Sequence, residues 1–307
     1  MLIRRFSGIF MISSLPVFLT GRSRSFSKAI IFNDLLRTIY LESQASYLSN
    51  MKNILPYIPE RPAKPRQTGL TMVMDKGLSI REAEDFMSVG SEYTDFVKLG
   101  FGTSLITPGF EQKIRIYKKS GCTPYFGGTL FEAFVIRNMF KEFVEFLDEH
   151  EIDLVEVSDG SYDIDHVIKL EYIHTLAKRG TVISEVGSKK KDVIYSPDQW
   201  VAMMKSELDA GSVKVIAEAR ESGTIGIYND DGSVNLPLIK EISDRIGLGN
   251  VLWEAPLKSQ QAWFIKNFGA NVNLGNIAPN EIIPLESLRL GLRGDTFFQF
   301  LPDNLKG

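Results

Sequence analysis

Eight times between Gly69 and Ile277 the chain repeats one plan: a short β-rich run, a polar or glycine-containing bend, then an amphipathic stretch. The strand candidates are "GLTMVMDK", "FVKLGF", "PYFGGT", "LVEVSDG", "TVISEVG", "KVIAEA", "VLWEAP" and "NVNLGNI". Their starts lie about thirty residues apart, room for a strand plus a crossover helix, and this imposes parallel pairing. The helix candidates "SIREAEDFMSVG", "FEQKIRIYKKSG", "LFEAFVIRNMFKEFVEFLDEH" and "SPDQWVAMMKSELDAG" place apolar residues at three- and four-residue steps, and three of them stop at Gly. Eight such units in 307 residues predict an α/β fold, a closed (β/α)8 TIM barrel, with an open doubly wound sheet as the alternative.

Barrel strands send alternate side chains into the interior and out to the helices. Read with that period, polar residues recur on one face: Asp75, Lys98, Glu156, Glu185, Glu218, Glu254 and Asn273. A carboxylate buried in a barrel without a cation or donor is strongly unfavourable, so this series needs compensation. One solution is an internal salt-bridge layer using Lys98, Lys214 or Arg220. The other is a functional site, because barrel enzymes build theirs at the carboxyl ends of the strands, where these acids fall. Hard oxygen ligands in that arrangement suit Mg2+.

The loops carry the opposite sign. The lysines Lys189, Lys190 and Lys191 follow strand five, Arg220 follows strand six and Lys258 strand seven, while Lys64, Arg66 and Arg293 lie near the ends of the barrel sequence. A basic rim above an acidic centre is what a small polyanion requires. The bends "GGT" and "LGN" let backbone amides approach phosphate oxygens, although each pair alone is an ordinary turn signal. A solvated loop is the plain alternative for the lysine triplet.

A formal charge of −3 gives no reason to expect a nucleic-acid partner. The one cysteine, Cys122, excludes an internal disulfide, and three histidines, His150, His166 and His174, all in helical patterns, do not assemble a Cys/His metal cluster. These features predict a cytoplasmic protein with no membrane partner; self-association stays open. Residues 1–50 differ, with a net charge of +4 against −7 for the rest. Their basic start and the apolar "FSGIFMISSLPVFLTG" resemble a signal peptide, but Ser and Pro interrupt the run and no small-residue cleavage site follows. The expectation is an extension over residues 1–50, poorly ordered, ahead of one barrel domain over 51–307.

The strings "MDKGLS", "VKLGFGTS", "YFGGTLFE", "EVSDGS", "SEVGSKK", "EARESG", "EAPLKSQQ", "VNLGNI" and "LESLRLGLRGDT" run in this order and together resemble the phosphosulfolactate synthase family, which is related to plant heat-stress-associated proteins. The resemblance implies a Mg2+-dependent barrel enzyme that adds sulfite to carbon 3 of phosphoenolpyruvate, giving (2R)-phosphosulfolactate, a precursor of coenzyme M in methanogens. The family pattern after strand five is Glu, Val, Gly and two lysines, the second being its proton donor. Here Ser188 stands at the first lysine position and Lys189 at the second. The adjacency of strands four to six selects Glu156, Glu185 and Glu218 as the metal set, with Asp75 and Glu254 in reserve. Lys98, Arg220 and Lys258 are the candidates for holding the anionic groups, and the amides near Gly275 and Asn276 for cradling the phosphate. Two rivals remain: a Schiff-base aldolase using Lys98 or Lys214, and a non-catalytic stress protein that keeps the barrel.

Overall fold

The structure, a computed structural model, describes residues 55–187, 195–220 and 222–306. Residues 1–50, and with them the extension expected there, lie outside the described residues. The barrel lies within a compact unit, Tyr57–Gly307.

Eight parallel strands form one sheet: β1 (Thr71–Asp75), β2 (Phe96–Leu99), β3 (Thr123–Phe126), β4 (Leu154–Val157), β5 (Thr181–Val186), β6 (Ser212–Ala217), β7 (Val251–Glu254) and β8 (Leu274–Ile277). Hydrogen-bonded neighbours run β3-β2-β1-β8-β7-β6-β5-β4, and β3 packs beside β4 at the remaining seam. The β1–β8 pairing closes the ring, which an open doubly wound sheet would not do, so the barrel expectation holds. All eight strand candidates are strands.

The helices are α1 (Ile80–Gly90), α2 (Phe110–Lys119), α3 (Gly128–Val135), α4 (Phe140–Glu149), α5 (His166–Ala177), α6 (Pro197–Ala210), α7 (Leu236–Ile246), α8 (Lys258–Phe268) and α9 (Ile282–Arg289). Local chemistry sets their starts. Ser79 and Glu82 form a capping box on α1, as Ser196 and Gln199 do on α6, where Pro197 opens the helix. The stretch read as one helix from Leu130 to His150 is two. Asn138 takes a left-handed conformation at φ 56°. The amide of Met139 donates to Phe134 O and that of Asn138 to Val135 O, a Schellman ending that turns the chain between α3 and α4. No described helix is long and apolar enough to cross a membrane.

At the amino-terminal end of the strands, the fully buried Arg289 donates to Ala270 O at 2.6 Å and Val272 O at 2.7 Å. Asn273 works at the same end, accepting from Leu70 N at 3.1 Å and donating to Val251 O at 3.1 Å. His150 packs its ring against Phe110 and Phe146, as its helical position implied.

Candidate active site

The inner face of the barrel carries its acids at the carboxyl ends of four consecutive strands. Glu156 is next to last in β4 and Glu185 next to last in β5; Glu218 follows β6 by one residue and Glu254 ends β7. All four are buried. Glu185, Glu218 and Glu254 each present a carboxylate oxygen, and the three oxygens lie within 4.8 Å of one another. That is the spacing at which carboxylates share a cation.

Glu156, expected in this set, has other partners. Its Oε1 forms an ion pair with Lys98 Nζ at 2.7 Å and accepts from the Gly128 amide at 2.6 Å. Glu254, held in reserve, stands in the triad instead, its Oε2 accepting from the Ala219 amide at 2.8 Å. Adjacency selected strands four to six, whereas the three oxygens that come together belong to strands five to seven, and Glu156 pairs with Lys98 of β2. A side chain on Gly128 would press its Cβ to 2.3 Å from Ser158 Oγ and 2.8 Å from Glu156 Oε1, so the close approach of α3 to β4 requires glycine here.

Lys98 lies 2.7 Å from Glu156 and 3.4 Å from Glu185. Burial works against its charge, but Glu156, Glu185 and Glu254 overcome it and hold the ammonium well above the ordinary lysine value. That environment opposes the loss of a proton that a Schiff-base nucleophile needs. Lys214, the other aldolase candidate, donates to Gly249 O at 2.7 Å, three residues before the end of β6 and away from the acids. Glu254 shows the cost of gathering these groups: burial first, then the charges of Glu185 and Glu156, push its carboxyl up to about 8 against the relief from Lys98 and the Ala219 amide. Burial likewise raises the phenol of Tyr125, with Glu156 and Glu254 adding to it, so this inward ring is a neutral neighbour of the acids.

Asp75 leaves the series. It is buried, but its carboxylate accepts from Lys113 Nζ at 2.7 Å and Tyr117 OH at 2.8 Å, both on α2, and from the amides of Gly77 and Leu78. The inward positions of β1 belong to Met72 and Met74, which lie against Gly275 of the neighbouring β8 and Gly100 at the end of the neighbouring β2. Asp75 therefore fastens β1 to α2, outside the site.

At Gly187 the chain leaves β5 with φ 131°, a conformation that disfavours side chains; a Cβ there would lie 2.6 Å from the Trp200 ring and 2.7 Å from Glu218 Cβ. The glycine thus lets the strand exit pass tightly over Glu218. Lys189, with Lys190 and Lys191, lies outside the described residues. Arg220 is exposed just beyond β6. Lys258 opens α8 and pairs with Asp295 at 3.1 Å, partly exposed on the same end of the barrel. Gly275 lies inside β8, its carbonyl accepting from the Ala255 amide at 3.0 Å, and Asn276, at φ 56°, donates from its side chain to Ala219 O at 3.2 Å. Between the loops after β1 and β8, Met74, Lys76, Gly77, Leu78, Ala278 and Pro279 line a cleft of about 280 Å3.

Two supporting residues escaped the sequence reading. Glu132 of α3 accepts from Ser158 Oγ at 2.5 Å, Ser161 N at 2.8 Å and Tyr162 N at 2.6 Å, fixing the loop after β4. Its signal was an acid inside the apolar helix "GTLFEAFV". Lys169 of α5 is the other, a fully buried lysine in a helix of little amphipathic character.

Comparison with known proteins adds a second line of observation. A family model described as (2R)-phospho-3-sulfolactate synthase (ComA) matches residues 59–295. The phosphosulfolactate synthase of Methanothermobacter thermautotrophicus is 40% identical over 244 residues, covering 78% of this chain and 95% of that protein. That of Bacillus subtilis is also 40% identical over 244 residues, covering 78% and 97%. Protein HEAT-STRESS-ASSOCIATED 32 of Arabidopsis thaliana is 25% identical over 258 residues, covering 75% and 88%.

Proposed function

The chain belongs to the (2R)-phospho-3-sulfolactate synthase family, and on that premise we propose that it joins sulfite to phosphoenolpyruvate at a Mg2+ site formed by Glu185, Glu218 and Glu254. The observation that carries this reading is the convergence of those three glutamates, from the ends of consecutive strands, to within 4.8 Å. The donor set is all hard oxygen, the choice of Mg2+, and three carboxylates leave room for water and substrate oxygens in an octahedral shell. When bound, the ion supplies positive charge against the negative charge that develops on the substrate carboxylate as the new bond forms.

In the reaction the sulfur lone pair of sulfite forms the bond to carbon 3, the carbon–carbon π electrons move toward carbon 2 and the carboxylate, and carbon 2 then takes a proton. Both reactants are anions, so the chain must gather cations around them. Lys98 is fixed between Glu156 and Glu185 and carries its charge throughout. Arg220 and Lys258, on the exits of β6 and β7, stand where the phosphate and sulfonate groups would project. Lys189, two residues past the Gly187 turn, is assigned the proton donation to carbon 2 from its Nζ, which solvent then reprotonates. Neighbouring ammonium groups ease that donation by lowering the lysine pKa. With Cys122 free and buried, the proposed place of action is the cytoplasm.

The test is incubation of the full chain with phosphoenolpyruvate, sulfite and Mg2+, with product followed by phosphorus NMR and mass spectrometry. A sulfonated phosphoester is expected, and its absence overturns the reading. Lys189→Met should abolish product in a chain that still melts like the wild type. An unchanged rate removes Lys189 from the mechanism.

A further inference from the structure

On the outer side of β5, beneath α5 and α6, a second buried charge cluster meets the active site through the backbone. Lys169 is 1% exposed. Its Nζ lies 2.8 Å from Asp159 Oδ1, 2.8 Å from Glu207 Oε1 and 2.7 Å from the backbone oxygen of Glu185. The ammonium donates to Asp159 and to the Glu185 carbonyl and forms an ion pair with Glu207. They come from three different elements: the loop after β4, helix α6, and the end of β5.

The backbone contact has a topological reason. The β4–β5 ladder ends at Val157↔Ser184, one residue short of Glu185. On the other side β5 continues against β6, and the carbonyl of Val186 accepts from the Glu218 amide at 3.1 Å. Successive carbonyls of a strand point to opposite sides, so that of Glu185 points toward β4, past the end of the ladder. Lys169 delivers its donor at that point. The linkage between Glu185 and Val186 is thus held from one side by Lys169 and from the other by the residue that bears the Glu218 carboxylate. The same ammonium anchors Asp159, three residues beyond Glu156.

Burial alone would drive the proton off Lys169, but the carboxylates of Glu207 and Asp159 hold it above the ordinary lysine value. Hydrogen bonds from a charged donor are the strong ones, and groups behind metal ligands commonly set ligand orientation.

We propose that Lys169 is a positioning residue for the reaction: from outside the barrel it locks the exits of β4 and β5 and so fixes the Glu185 carboxylate against Glu218 and Glu254. This role rests on the reading of those acids as the ion site, and the experiment separates the two. Full-length variants are compared by Mn2+ binding, followed through the free-ion EPR signal, by kcat and KM for phosphoenolpyruvate, and by thermal melting. Lys169→Met/Glu207→Leu removes both fully buried members together, leaving without its cation only Asp159, whose carboxylate is partly exposed. In that variant Mn2+ affinity and kcat should each fall about tenfold or more, with KM moving less. Glu207→Gln keeps the ammonium on the Glu185 carbonyl and should lose less than about threefold in either. Should the double variant not fold, Lys169→Gln, which retains a neutral donor, carries the same comparison.

A folded double variant with wild-type Mn2+ affinity and kcat overturns the positioning role alone. So does a Glu207→Gln loss as large as that of the double variant, because the pair rather than the carbonyl contact then matters. A wild type that neither binds Mn2+ nor makes product overturns the functional reading, and this role with it.

Discussion

The proton on Glu254 gives the most direct quantitative test. Its carboxyl sits at about 8 in the folded chain against 4.5 for the ordinary group. Between those two values the folded chain holds a proton that the unfolded chain has released. Stability from this group is therefore fully present below the unfolded value and is lost as pH rises through about 8. The slope is about 1.4 kcal/mol per pH unit, and the whole loss at most about 5 kcal/mol. A divalent ion reverses the trend, since it binds the carboxylate and must displace the proton. Its affinity should rise up to about tenfold per pH unit from about pH 5 to about pH 8 and then level off, with up to one proton released per ion within that range. Denaturant unfolding across pH with and without Mg2+ reads the slope, and titration calorimetry in two buffers of different ionisation heat counts the protons. Glu254→Gln should flatten both. A slope that survives in Glu254→Gln, or ion binding near neutral pH without proton release, refutes the placement of a protonated acid in the triad.

Two substitutions separate the site from the scaffold. Lys98→Met removes the ammonium that bridges Glu156 and Glu185, so it should destabilise the chain by about 3–5 kcal/mol and abolish product formation; a folded variant with wild-type turnover would clear Lys98 of any role. Asp75→Asn leaves Lys113 buried without its anion and should cost about 3 kcal/mol in denaturant unfolding, while Mn2+ affinity stays at the wild-type level because Asp75 faces α2. A loss of ion affinity comparable to that of Glu254→Gln would place Asp75 back in the site.

The fold was legible because its signal is periodic and repeated. Each strand announces itself through a short apolar run ahead of a bend and each connection through its length, so errors in one unit do not propagate. The exception is instructive: an unbroken apolar pattern from Leu130 to Leu147 hid the turn at Asn138, since a left-handed asparagine ends a helix without disturbing the polarity pattern. The site was legible to the level of strand parity and no further. Parity put Glu156, Glu185, Glu218 and Glu254 on one face, but it does not set which three of them converge, and Glu156 pairs with Lys98, two strands away around the ring. The same parity argument misplaced Asp75, because the alternation in β1 is carried by methionines inside and the polar residue outside. Lys169 was invisible for a different reason. Its partner in the site is a backbone carbonyl, which has no signature in sequence.

The charge layout distinguishes a site from a structural salt-bridge layer. Outside the interior, buried acids meet cations at hydrogen-bond distance: Asp75 with Lys113 at 2.7 Å, Glu207 and Asp159 with Lys169 at 2.8 Å, Asp95 with Arg66 at 2.9 Å, Glu286 with Arg61 at 2.8 Å. The chain is therefore able to neutralise buried carboxylates with its own side chains at the same depth. On the inner face, among the described residues, Lys98 stands against four glutamates, and one of these is driven to hold its proton up to about 8. Apolar residues at those positions would serve stability better than a set of mutually repelling acids. An arrangement that costs stability on one face, in a chain that balances its charges on the other, answers to what enters the barrel mouth.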